Sequence, residues 1–165
     1  MGSTRLIIAP LIATVVEECS IFAQQELLSF EHYPEDIRIQ EIGYYEQDCL
    51  QSYCQSPAHI LLVARWEGEI CGLIHCSLQT GVAWVCWILI PPKFRRKNIA
   101  FYLWRAMFKE LKLRQIHALW GSIRSTNIEA IRMAQAIGFT EIGSAPNFWH
   151  GLDYLLVQRS LRPSN

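Results

Sequence analysis

Net charge is the first thing this 165-residue chain lacks: Lys and Arg number 15, and so do Asp and Glu. A balanced chain has no global field to draw in nucleic acid or an anionic membrane, so neither is an expected partner and any anion site must be local. No Cys-x-x-Cys pair occurs among the six cysteines Cys19, Cys49, Cys54, Cys71, Cys76 and Cys86, and their density is low for a secreted disulfide scaffold. Several lie inside apolar runs, where a free thiol packs as a small hydrophobe. A reducing, cytoplasmic compartment is therefore expected, and no motif supports a metal site. No apolar run is long enough to span a bilayer. The early run "LIIAPLIATVV" is interrupted by Pro10, is followed by Glu17-Glu18 and ends in no small-x-small cleavage site. It is expected to form a first strand and a first helix rather than a signal peptide. Repeats, low-complexity tracts and linkers are missing too, so residues 1–165 are expected to form one domain.

The chain does have a large apolar fraction, 51% hydrophobic against 18% charged residues. That balance favours a compact core over disorder. Arg5–Ala9 reads as a short strand ended by Pro10. Ile12, Val15, Val16, Cys19, Phe22, Ala23 and Leu27 recur at three- and four-residue spacing, one face of an amphipathic helix. "SFEHYPED" reads as a loop, and a second helix is expected from about Ile42 to Cys54, stopping before Pro57. "HILLVARW", "EICGLIHCSL" and "VAWVCWILI" are three strand-like runs joined by Glu67-Gly68 and Thr80-Gly81, which predicts an antiparallel meander. After Pro91-Pro92 a helix follows, with Ile99, Leu103, Met107, Phe108 and Leu111 inward. "HALWGSI" is a strand. Thr126-x-x-Glu129 reads as a capping box for a last helix that Gly138 stops. Phe139–Ser144 and Tyr154–Leu161 close the pattern as strands. The order β-α-α-β-β-β-α-β-α-β-β predicts an α+β, or mixed α/β, domain: a mostly antiparallel sheet of about seven strands with four helices.

Between the third meander strand and the next helix stand Arg95, Arg96 and Lys97, then Asn98. Helix N-termini carry free N–H groups and the positive end of the helix dipole, so a basic loop that runs into one is a ready diphosphate site. Asn98 tolerates the positive φ that such a loop needs. Ala100 is small enough to let a ligand approach the backbone. Pro91 and Pro92 remove two N–H donors, so the strand end cannot pair normally and leaves a gap for an extended ligand. A solvated basic turn shielding the strand end is the competing reading.

The spacing Ile90-x-Pro92-x-x-Arg95-x-x-Asn98-x-Ala100 resembles the acetyl-CoA signature V-x-P-x-x-R/Q-x-x-G-x-G/A of the GNAT superfamily of N-acetyltransferases. Asn127-x-x-Ala130 with Gly138-Phe139 resembles the second block of that family, and the element order is similar over nearly the whole chain. The resemblance implies a transferase with acetyl-CoA as co-substrate and an amine of a small molecule or a protein as acceptor. It implies that Arg95, Arg96, Lys97, Asn98, Ile99 and Ala100 hold the pyrophosphate through backbone amides. It further implies that Ile88, Leu89 and Ile90 pair with the pantetheine arm and that Asn127 contacts that arm. Asn98 replaces the usual glycine. Many members are dimers, so a homodimer is a candidate assembly.

Acetyl transfer from a thioester needs a deprotonated amine, a donor for the oxyanion and a proton for the thiolate. The positions where many members carry a catalytic Glu and Tyr are Trp84 and Ala134 here, and the strand Val82–Ile90 has no acid. His75 is the candidate base, since imidazole titrates near neutral pH. A two-residue turn at Thr80-Gly81 would pair Ser77 with Trp84 and His75 with Cys86, setting His75, Ser77, Trp84, Cys86, Ile88 and Ile90 on one face. A histidine packed among apolar neighbours with one hydrogen bond is the competing reading. Glu31, in the loop after the first helix, together with Trp84 and Trp149 of "NFWH", is a candidate acceptor contact. Such rings favour apolar, aromatic or cationic amines. Direct transfer in a ternary complex is the expected chemistry. A CoA-binding sensor or interaction domain without catalysis is the alternative.

Overall fold

The computed structural model describes residues 6–162. In chain order the elements are β1 (Leu6–Pro10), α1 (Val16–Leu28), α2 (Glu35–Gly43), α3 (Gln47–Gln55), β2 (His59–Trp66), β3 (Glu69–Gln79), β4 (Val82–Leu89), α4 (Ile99–Leu113), β5 (Ala118–Arg124), α5 (Ile128–Ala136), β6 (Thr140–Ala145) and β7 (Tyr154–Ser160). One seven-stranded sheet runs in the order β1-β2-β3-β4-β5-β7-β6. Every neighbouring pair is antiparallel except β4 and β5. This is the mixed, mostly antiparallel architecture that the pattern predicts. Arg5, expected to open the first strand, lies outside the described residues. Among the described residues no helix is long and apolar enough to cross a membrane.

The meander forms because both two-residue turns reach positive φ at each position. Glu67 and Gly68 have φ of 52° and 89°, and Thr80 and Gly81 have 49° and 79°. Turns of that hand match the twist of the flanking strands. Pro10 is tolerated because β1 is an edge strand that pairs only with β2.

Two cores sandwich the sheet. On one face α4 lays Ile99, Leu103, Trp104, Met107 and Leu111 against Ile60, Leu62, Ile74 and Cys76. Each such fully buried aliphatic side chain contributes about 1.5–3 kcal/mol. Trp104 takes the inward place expected of Phe108, which packs only partly buried at the margin. Gly72 lets α4 approach, since a Cβ there would lie 3.0 Å from Leu103 and 3.2 Å from Ile99. On the other face α1 and the α2–α3 region bury Cys19, Ala23, Leu27, Tyr45 and Leu50 against Leu61, Val63, Leu73 and Leu89.

Three local expectations are corrected. Among the described residues there are five α-helices, not four: Pro34 caps α2, whose first turn holds Glu35 and Asp36 at the positive end of its dipole. That helix ends at Gly43, and extended Glu46 starts α3, so the predicted stretch from Ile42 to Cys54 is broken at Tyr44-Tyr45. The cap of α5 is Asn127, whose Oδ1 accepts from the Ala130 N–H at 3.1 Å, so Thr126 makes no capping box. Finally, β4 carries a bulge. Ser77 does face Trp84, but His75 faces Trp87 and Cys76 faces Val85, which leaves Cys86 as the extra residue. An inserted residue shifts the alternation beyond it. Ile88 and Ile90 therefore pack with the α4 core, on the opposite face from His75 and Trp87.

Candidate active site

The parallel pair β4–β5 is short. It joins Val82 to Ala118, Ala83 to Leu119 and Trp84 to Trp120, and then stops. Beyond it β4 runs on to Leu89 while β5 runs to Arg124, paired along its length to β7 instead. The sheet is thus open along the far half of β4. A cleft of about 1590 Å³ passes through this opening, bounded on one face by α4 and α5 and on the other by α2, His75 and the β6–β7 connection.

On the α4 side the loop has the geometry of an anion cradle. Arg96 and Asn98 both stand at φ of 60°, with Asn98 as the left-handed N-cap of α4. Asn98 thus adopts the conformation for which glycine is usual, and Arg96 does so as well. Among the described residues no carbonyl accepts from the amides of Arg96 through Phe101; the first helical bond there runs from Tyr102 to Asn98. Six free N–H groups at the positive end of a fifteen-residue helix suit a diphosphate. The side chains of Arg95, Arg96, Asn98, Ile99 and Ala100 line the cleft, as do Ile88, Ile90 and Asn127. Lys97 does not: its ammonium lies 5.2 Å from the Trp66 ring centroid and 5.4 Å from that of Phe94. The Leu89 side chain is fully buried in the other core. Leu89 can therefore offer a ligand only its backbone, whereas Lys97 is exposed. Trp104 also lines the cleft, and its buried Nε1 has no hydrogen-bond partner among the described residues.

On the opposite side His75 is 3% exposed, with both ring nitrogens engaged. Nδ1 is 3.0 Å from the Tyr45 hydroxyl and Nε2 is 2.9 Å from His59 Nδ1. Burial, and then the neighbouring His59, push the His75 pKa down to about 3, so the ring is neutral at ordinary pH. Burial raises the Tyr45 hydroxyl and lowers His59. Tyr45 is fixed from behind, since Ser20 Oγ donates to its carbonyl at 2.8 Å. The expected lone hydrogen bond of a packed histidine is therefore a three-residue chain. The Cys86 thiol is raised by burial, so it is not a ready thiolate. Trp84 and Trp149 both line the cleft, and Glu31 stands exposed at its edge.

Sequence reasoning missed Glu41. It is 8% exposed and lines the same cleft. Trp87 Nε1 donates to its Oε2 at 2.9 Å, and Trp149 Nε1 to its Oε1 at 3.3 Å. His150 Nε2 lies 3.1 Å from Oε1. The signal was available: Glu41 follows Ile37 by four residues, so an acid occupies the inward stripe of α2. Tyr154 was missed as well; its buried hydroxyl has no partner among the described residues, and it too lines the cleft.

The model of the acetyltransferase (GNAT) family matches residues 24–139, and the chain belongs to that family. Its co-substrate is acetyl-CoA and its general activity is acetyl transfer. Among solved structures, the PaiA N-acetyltransferase from Thermoplasma acidophilum, in complex with coenzyme A, is similar with a TM-score of 0.82. It shares 17% identity, over 94% of this chain and 99% of that one. The ribosomal-protein-S18-alanine N-acetyltransferase from Escherichia coli is similar with a TM-score of 0.72 and 17% identity, over 98% and 97% of the two chains. Aminoglycoside 6'-acetyltransferase type Ii is similar with a TM-score of 0.77 and 16% identity, over 96% and 99%. No curated protein matches the sequence.

Proposed function

We propose that the chain, as a single domain, is an N-acetyltransferase that brings acetyl-CoA and a primary amine together from opposite faces of its sheet. The observation that carries this reading is the opening between β4 and β5, which joins the amide cradle to the aromatic pocket around His75. In this reading the amides of Arg96 through Phe101 hold the diphosphate, and the free edge of Ile88, Leu89 and Ile90 aligns the pantetheine arm. The Arg95 and Arg96 side chains add charge, and Ile99 and Ala100 let the chain lie close. Asn127 spends its oxygen on the α5 cap and has its amide nitrogen left for the ligand.

Trp84, Trp149 and Glu31 wall the acceptor. The amine nitrogen attacks the thioester carbonyl, the N–C bond forms, the C–S bond breaks and CoA leaves as the thiol. One proton of the starting ammonium is released. The Tyr45–His75–His59 chain is the proposed proton path, with His75 at its centre. In one tautomer the Tyr45 hydroxyl donates to Nδ1 and His75 Nε2–H donates to His59, so a proton taken at one end of the chain leaves at the other. The depressed affinity of His75 makes it a relay rather than a resting place for that proton. The high Cys86 pKa favours direct attack over an acetyl-cysteine. The usual Glu and Tyr positions remain Trp84 and Ala134, and orientation supplies much of the rate. Six free thiols among the described residues suit a reducing cytoplasm.

The test is mass-spectrometric detection of N-acetyl product from acetyl-CoA and a panel of small amines and peptide N-termini. Product from any of them, reduced at least tenfold in His75→Gln, supports the reading. CoA binding with no product from any acceptor would instead leave a CoA-binding module without transferase activity.

A further inference from the structure

Among the described residues Glu41 is the one carboxylate that is buried, the other buried polar residues being Ser20 and His75. A buried charge is costly unless it meets an opposite charge. Yet its donors are two neutral indoles, and its sole ion-pairing partner among the described residues is His150, charged only when protonated. The nearby cation Arg124 is turned elsewhere. It donates to the carbonyls of Asp153 and His32 and lies over the Tyr154 ring. The carboxylate is thus held by hydrogen bonds but is not neutralised by a fixed cation.

Its surroundings specify what would neutralise it. Trp87 packs edge-on with Phe30 at 5.3 Å and with Tyr33 at 5.6 Å. Trp149 faces the same acid from the β6–β7 connection, its ring centroid 6.2 Å from that of the exposed Phe148. That connection is a strap built on Asn147, His150 and Gly151 at φ of 50°, 55° and 69°, so holding it over Glu41 takes conformations that L residues rarely adopt. Aromatic side chains set around a carboxylate match an ammonium borne on an aromatic body. The place is also right for transfer, because Trp87 stands opposite His75 and next to the bulged Cys86, where the free edge of β4 begins.

We propose that Glu41 receives the ammonium of a primary arylalkylamine acceptor, whose ring lies between Trp87 and Trp149, and that His150 holds the place of that ammonium in the free protein. This rests on the acetyltransferase reading and names its acceptor class. Loss of the amine's proton near His75 then converts the bound ammonium to the attacking form.

The experiment is calorimetric titration of tyramine, and of its uncharged analogue 4-ethylphenol, into protein saturated with CoA, where no turnover occurs. Wild type is expected to bind tyramine at least tenfold more tightly than 4-ethylphenol. Glu41→Gln is expected to bring the two within about twofold, with CoA affinity unchanged. Equal binding of the two probes by wild type, no binding of tyramine at millimolar concentration, or an unchanged preference in Glu41→Gln would each overturn the inference. If Glu41→Gln does not fold, the wild-type comparison alone decides. Failure of CoA itself to bind would strike the acetyltransferase reading, whereas CoA binding without tyramine preference would strike only this inference.

Discussion

Lowering the pH from 7 to 5 should weaken the fold through His75, and the size of the effect follows from its burial. The ring has a pKa of 6.5 when unfolded and about 3 in the folded chain. Between those values the unfolded chain binds a proton that the folded chain refuses, so stability rises with pH and is lost as pH falls below 6.5. Each pKa unit is worth about 1.4 kcal/mol, so this residue alone removes about 2 kcal/mol between pH 7 and pH 5, and about 4 kcal/mol once the pH reaches 3. His59, also lowered by burial, acts in the same direction. Glu18, whose pKa is lowered by its hydrogen bond to Arg65, loses its contribution only as the pH falls below the carboxylate range, and Glu26, raised by burial, acts in the opposite sense, so the comparison with a His75 variant isolates the histidine. Urea denaturation at pH 7, 6 and 5 measures the slope. His75→Gln should flatten it even where its stability at pH 7 is lower. If that variant does not fold, NMR of the wild-type ring should show His75 still neutral at pH 5. A wild-type stability that is level over this window, an undiminished slope in the variant, or a ring that titrates near 6.5 would refute the reasoning.

Asn98→Gly should keep the cradle and leave stability equal or raised, whereas Asn98→Val should cost about 1–2 kcal/mol at φ of 60° and abolish CoA binding; melting curves with and without CoA separate the two. Gly72→Val should destabilise by about 1–3 kcal/mol in urea titrations, because its Cβ would already press on Leu103 and Ile99. Leu103→Ala should cost about 2–5 kcal/mol in the same assay. At pH 8 iodoacetamide should leave Cys19 unmodified in the native protein, since burial pushes its thiol up to about 12, and should modify it once urea unfolds the chain; peptide mapping reads this directly.

Periodicity and turn chemistry carried most of the fold into the sequence. The run His59–Trp66 is β2 to the residue, and both positive-φ turns of the meander were written in Glu67-Gly68 and Thr80-Gly81. The turn of the basic loop was legible because Asn98 tolerates the left-handed conformation that it adopts. What escaped detection depends on long-range packing. The bulge at Cys86 leaves no composition signal, yet it moves His75 opposite Trp87 and sends Ile88 and Ile90 to the other face. The break at Tyr44-Tyr45 was hidden because Tyr45 is apolar enough to read as helix, although it leaves the helical path to reach His75. Glu41 meets Trp149 and His150, more than a hundred residues away, and no spacing rule predicts such a contact.

In the proposed function the loop from Arg96 to Phe101 binds the diphosphate of CoA at the opened edge of the sheet. The most direct measurement of this binding is calorimetric titration of CoA into wild type and into Ala100→Glu, which sets a carboxylate against the free amides. A single site is expected in wild type and at least a tenfold loss of affinity in the variant, with the melting temperature of the free protein little changed. Equal affinity in the two proteins, or no binding of CoA by wild type, would contradict it.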